Sequence, residues 1–290
     1  MKYIINEDNA GILIRDFLAK QELSKKSIKA IKMNGDILVN GTHQSVRYCL
    51  QKNDVIELIW PNENSNIEPY DYPLDIVYED DNYLVINKEA GIPCIPTKRY
   101  PCKTVANALI NYYQKHNFKA TVHLVNRLDK DTQGLMLVAK NRYAHYLLSR
   151  DIKQVKRIYY CLVEGILDGE GVIDYPITKN KDSVKRIIDT HGKAAITYYS
   201  SLKTFDNYSL VKCILETGRT HQIRVHLSSQ GFPLIGDVLY GSSRNQLYYL
   251  DSVYLEFVHP FTRKLITVEK DVDFQEIINN FVPNKIWNLL

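Results

Sequence analysis

From about residue 74 to residue 257 the chain is a succession of short runs of β-branched, aromatic and aliphatic residues, with few helical stretches between them. The runs at 76–78, 83–86, 158–163, 172–173, 195–199, 208–215 and 248–257 have the composition and length of strands. Strands that do not alternate with helices argue against a doubly wound chain. They predict an α+β fold built on a mixed, mainly antiparallel sheet. Three helices are expected among them. One has Val105, Ala108, Leu109, Tyr112 and Tyr113 on one face and Thr104 as N-cap; a second is capped by Asn141 and buries Ala144, Leu147 and Leu148. The third covers 221–230 and stops at Gly231, with Pro233 beyond.

The first sixty residues read as a separate small unit. Ile12, Ile14, Phe17 and Leu18 mark one short helix, and Leu23, Ile28 and Ile31 a second with Ser24 as N-cap. Lys25, Lys26, Lys29 and Lys32 lie along the second helix, which by itself describes a solvated face as well as a nucleic-acid contact. A strand at 37–39, the Asn40-Gly41 hairpin signal and a strand at 55–59 complete the unit. Residues 61–73 are polar, proline-bounded and aperiodic, so they read as a mobile linker to a domain at 74–290.

Composition excludes more than it selects. Hydrophobic residues make up 45% of the 290 and charged ones 24%, ordinary for a globular protein, and no apolar run approaches the ~20 residues of a membrane span. A net charge of +4 permits a polyanionic partner without requiring one. Cys49, Cys94, Cys102, Cys161 and Cys213 are odd in number and scattered, which supports neither a disulfide framework nor a zinc site. With no leader at the N-terminus, a cytoplasmic location is expected.

Residues 123–140 carry the chemistry. Apolar segments flank an abrupt polar loop, Asn126-Arg127-Leu128-Asp129-Lys130-Asp131-Thr132-Gln133-Gly134, and a loop held by strands is a good place to fix a reactive carboxylate. Asp129 and Asp131 could instead hold Mg²⁺ for phosphoryl transfer. The haloacid-dehalogenase pattern, however, wants Thr or Val where Gln133 stands, and a doubly wound chain.

Four segments in order resemble the RluA-type pseudouridine synthases over roughly residues 74 to 270. They are 84–93 with Lys88 and Gly91; the Asp129 loop; Lys156-Arg157-Ile158-Tyr159 and its continuation to Gly165; and Gly218-Arg219-Thr220-His221-Gln222-Ile223-Arg224, followed by Gly236-Asp237 and Tyr240-Gly241. The resemblance implies isomerisation of uridine to pseudouridine in structured RNA (ribosomal or transfer), by a monomer that needs no cofactor or metal. Asp129, Tyr159 and Arg224 would be catalytic. Arg224 would pair with Asp129, with Arg219 as the other candidate. Arg127, Asn126, Arg219, Lys88 and Lys156 would meet the substrate. Many members carry His where this chain has Asn126, which can hydrogen-bond but cannot titrate near neutrality. The first unit resembles the αL RNA-binding module, and the basic stretch 179–191 would be either an exposed hairpin or a flap holding phosphates with Lys179, Lys181, Lys185 and Arg186. A non-catalytic RNA-binding or RNA-folding factor on the same scaffold is the other reading; it gives no use to an aspartate beside a polyanion.

Overall fold

The computed structural model describes residues 2–244 and 246–281. Two compact units emerge: Met1–Asn66 with Asn117–Thr121, and Ile67–His116 with Val122–Leu290.

In the first unit, β1 (Lys2–Ile4), α1 (Ile14–Lys20), α2 (Lys25–Asn34), β2 (Asp36–Val39), β3 (Thr42–His43) and β4 (Val55–Ile59) follow in order, and the strands form one sheet ordered β1-β4-β2-β3. The β2–β3 turn is the two-residue Asn40-Gly41 loop with both φ positive, the twist a tight hairpin requires. Ser24 caps α2 by accepting the Ser27 amide at 3.0 Å. Ile31 is buried beneath α2, while Lys25, Lys26, Lys29 and Lys32 are exposed on its other side.

The second unit contains β5 (Ile76–Glu79), β6 (Tyr83–Lys88), α3 (Val105–Lys115), β7 (His123–Leu124), β8 (Gln133–Ala139), α4 (Arg142–Ser149), β9 (Val155–Glu164), β10 (Glu170–Asp174), β11 (Ile177–Lys179), β12 (Arg186–Ile188), β13 (Ile196–Thr204), β14 (Tyr208–Leu215), α5 (Gln222–Ser229), β15 (Leu250–Val258), β16 (Leu265–Glu269) and α6 (Phe274–Phe281). Ten strands among the described residues make one sheet, ordered β10-β13-β14-β9-β15-β8-β6-β5, with β7 on β8 and β16 on β15. Only β8 and β15 pair in parallel there; the fold is α+β with a mixed, mainly antiparallel sheet. Residues Gly134–Ala139 of β8 are all buried, which explains why that segment reads as a continuous apolar run. Tyr83, Val85, Leu135, Leu137, Leu255 and Phe257 pack there with Ala144 and Leu148 of α4.

Thr104 caps α3 through a reciprocal pair with Asn107, and Asn141 caps α4. Residues 61–73 have no regular structure, but their second half is not a free tether. Asn107 Nδ2 donates to the Glu68 carbonyl at 2.7 Å, the Tyr70 amide to the Asn107 carbonyl at 3.0 Å, and Asp71 pairs with Lys115 at 2.6 Å. Those residues lie along α3. Stretch 179–191 begins at the last residue of β11 and takes in β12, its hairpin partner, with Lys179 opposite Arg186.

Candidate active site

The β7–β8 loop is pinned from below at several points. Asn126 Oδ1 accepts the Leu137 amide at 2.7 Å, and the Cys94 thiol donates to the Leu128 carbonyl at 3.0 Å. Lys130's carbonyl receives the Gly91 amide and the Lys88 ammonium, both at 2.9 Å. The Thr132 amide closes the turn onto the Asp129 carbonyl at 3.2 Å. With its backbone so held, the loop presents the Asp129 carboxylate, 22% exposed, to a depression of about 340 Å³. Arg127, Tyr159, Arg219, His221 and Arg224 also line it.

Arg224 explains the carboxylate's setting. Its Nε and Nη2 donate to the two oxygens of buried Asp237 at 2.6 and 2.9 Å, a bidentate clamp. That leaves Nη1 to reach Asp129 Oδ2 at 3.0 Å. The rings of Tyr248 and Tyr240 stand 4.7 and 5.0 Å from the guanidinium carbon. Burial works against the charge on Arg224, but Asp237, Tyr248 and Asp129 outweigh it and hold its pKa above the usual arginine range. Arg219, the other arginine considered, donates instead to the Ala194 carbonyl at 2.9 Å. It stands at the rim.

Tyr159 lies on β9 with its ring buried and its phenol lining the depression. Burial pushes the phenol's pKa up, partly opposed by Arg157 and Ser252. Its neighbour Tyr160 turns to the other face and packs against Phe274. Arg127 is exposed at the mouth of the depression.

Three expected substrate contacts are engaged with the protein itself. Lys88 is buried, and its ammonium donates to the carbonyls of Glu89, Ile92 and Lys130 at 2.8, 2.8 and 2.9 Å. With three protons and three acceptors it is a strut under the loop. Lys156 is three positions from Tyr159 on one strand, hence on the opposite face, and lies over the Tyr254 ring. Asn126 is buried and spends its carbonyl oxygen on the sheet.

The structure adds residues to which the sequence reading gave no role: Asp237, Tyr240, Tyr248 and His221. Asp237 and Tyr240 sit in the quoted Gly236-Asp237 and Tyr240-Gly241 pairs, but nothing local says that a guanidinium 13 residues back is their target. Among the described residues no three His, Cys, Asp or Glu side chains cluster as a metal ion would require.

Comparison with known proteins shows the family. The family model described as RNA pseudouridylate synthase matches residues 82–229. An uncharacterized RNA pseudouridine synthase of Bacillus subtilis, YjbO, is 41% identical over 262 residues, covering 87% of this chain and 92% of that protein. The ribosomal large subunit pseudouridine synthase D of Zymomonas mobilis is 36% identical over 226 residues, 71% of each chain. Among solved structures, human RNA pseudouridylate synthase domain containing 1 matches with a TM-score of 0.57 at 25% identity, covering 75% of this chain and 89% of its own. The chain belongs to the RluA-type RNA pseudouridine synthases, and so is an isomerase. No helix among the described residues is long and apolar enough to cross a membrane.

Proposed function

We propose that this protein converts a uridine in structured RNA to pseudouridine, with Asp129 as the reacting carboxylate. In the reaction the bond from N1 to C1′ breaks, a bond from C5 to C1′ forms, the C5 proton leaves and N1 gains one. Atoms balance without a donor group, redox partner or metal. A stacked uridine cannot be reached, so the base flips out at a cost of a few kcal/mol, and an unpaired loop or bulge lowers that cost. Tyr159 offers the base a face, and Arg127 at the mouth offers a phosphate a cation.

The observation that carries this reading is the Asp129–Arg224–Asp237 chain at the base of an open depression. A guanidinium fixed from behind by a second carboxylate sets the orientation of the Asp129 carboxylate. Ribosomal or transfer RNA in the cytoplasm is the substrate class; a relative named for the large ribosomal subunit favours the former. The N-terminal unit would add phosphate contacts through Lys25, Lys26, Lys29 and Lys32, and the β11–β12 hairpin through Lys181, Lys185 and Arg186.

The test is Asp129→Asn. Release of tritium from RNA labelled at uridine C5 should fall below detection while RNA affinity stays nearly unchanged. Full activity in that variant removes the assignment. Mapping pseudouridines across total RNA with and without the gene identifies the target.

A further inference from the structure

His221 stands beside the Asp129–Arg224 pair without a part in the reaction described above. It precedes α5 in the left-handed conformation, φ 57°, and its side chain is largely buried. Its Nδ1 lies 2.9 Å from the Tyr240 hydroxyl, and its Nε2 lies 3.8 Å from Asp129 Oδ2. The Tyr240 oxygen also accepts the Arg186 amide of β12 at 2.8 Å. Among the described residues, the acceptor within reach of Tyr240's own proton is His221 Nδ1. An imidazole that accepts at Nδ1 carries its proton on Nε2, on the side of Asp129. Arg224 Nη1 addresses the same carboxylate oxygen, Oδ2, and no described residue bonds Oδ1.

We propose that His221 is a positioning residue for Asp129: fixed by Tyr240 as the Nε2–H tautomer, it caps Oδ2 alongside Arg224 and leaves Oδ1 as the oxygen that meets the substrate. At 3.8 Å the contact is electrostatic in the free protein, and in the proposed arrangement the Asp129 side chain turns onto the Nε2–H in the substrate complex. Because Tyr240 is seated on the backbone of β12, the seating of the basic hairpin sets the tautomer. The charges around the ring agree. Burial lowers its pKa most; Asp129 opposes, Arg224 and Arg186 lower it further and Asp237 opposes, and the net direction is downward. Lys185, over the Tyr240 ring at 5.3 Å, adds a further positive charge on the hairpin side.

The proposal rests on Asp129 being the reacting carboxylate, and its test separates the two. In full-length protein labelled with ¹⁵N-histidine, the His221 resonances, assigned by their loss in His221→Gln, should show Nδ1 bare and Nε2 protonated at neutral pH. Tyr240→Phe should mix the tautomers. His221→Phe should lose about 10- to 100-fold in kcat, as expected for one hydrogen bond to a charged group, with KM unchanged. His221→Gln, which restores an N–H donor, should stay within about threefold of the parent. A protonated Nδ1 in the parent, a Gln variant as slow as Phe, or a loss confined to KM overturns the proposal. An active Asp129→Asn would sink the reading of Asp129 whatever His221 does. An inactive Asp129→Asn with His221→Phe at full rate would sink this proposal alone.

Discussion

Side chains of one chemical type do opposite work here according to what surrounds them. Arg224 is clamped on one side and offers a single N–H to the carboxylate, while Arg219, five residues earlier, is spent on a backbone carbonyl. Lys88 has been turned from a ligand into a strut, and burial pulls its pKa from 10.5 down to about 8. Between those pH values the unfolded chain binds the proton more tightly than the folded one, so stability from this group rises with pH across that window. Relative to Lys88→Met, the parent should therefore gain roughly 3 kcal/mol as pH goes from below 8 to above 10.5, read from denaturant melts. A pH-independent difference between the two proteins would mean that Lys88 titrates as in water. Sequence placed Lys88 beside the motif but could not say that three carbonyls converge on it, because two of them come from the turn after β6 and one from a loop 42 residues on.

At the scale of elements, the contact between β8 and β15 holds the site together. Gly134 has φ +101°, and a Cβ there would come within 2.2 Å of Asp251 Oδ1 and 2.4 Å of the Ser252 carbonyl. Asp251 is in turn held by Gln133 at 2.9 Å and Lys270 at 2.8 Å. The parallel pairing thus requires glycine just where the Asp129 loop enters the sheet. Gly134→Ala should cost about 2–4 kcal/mol, from the positive φ and the overpacking together, and should lower turnover by shifting the loop. A variant as stable as the parent would show that β8 and β15 can separate without loss. Strand and helix types were legible because they depend on period and on nearby caps: Ser24, Thr104 and Asn141 all cap as their positions predict. The start of α5 was not, since His221 takes a left-handed backbone that its residue type does not announce. Residues 248 and 249, expected in a strand, lie just before β15, and Tyr248 turns to cover Arg224.

For the molecule as a whole, two units divide the labour we propose. The first exposes lysines on one side of α2, with Met33 among them, and buries Ile31 on the other; no acidic partner for Lys25, Lys29 or Lys32 occurs among the described residues. If that face meets RNA, replacing these three with Gln should flatten the dependence of log affinity on log salt by about 2, with tritium release from a short RNA unchanged. An unaltered slope would return the lysines to the role of a solvated surface. Part of the apparent linker along α3 and the return of 117–121 to the first unit were hidden from sequence, where polar aperiodic stretches look alike whether packed or free.

By itself the sequence determined the α+β class, the capped helices and the loop that bears Asp129, because each follows from residues within a few positions of one another. The tertiary structure alone decided which arginine meets Asp129 across 95 residues, that Asp237 braces it, that Lys88 is buried under the loop and that Lys156 faces the other side of the sheet. Those outcomes depend on where the sheet sets distant strands side by side, and the periodicity of a single segment carries no record of its neighbours.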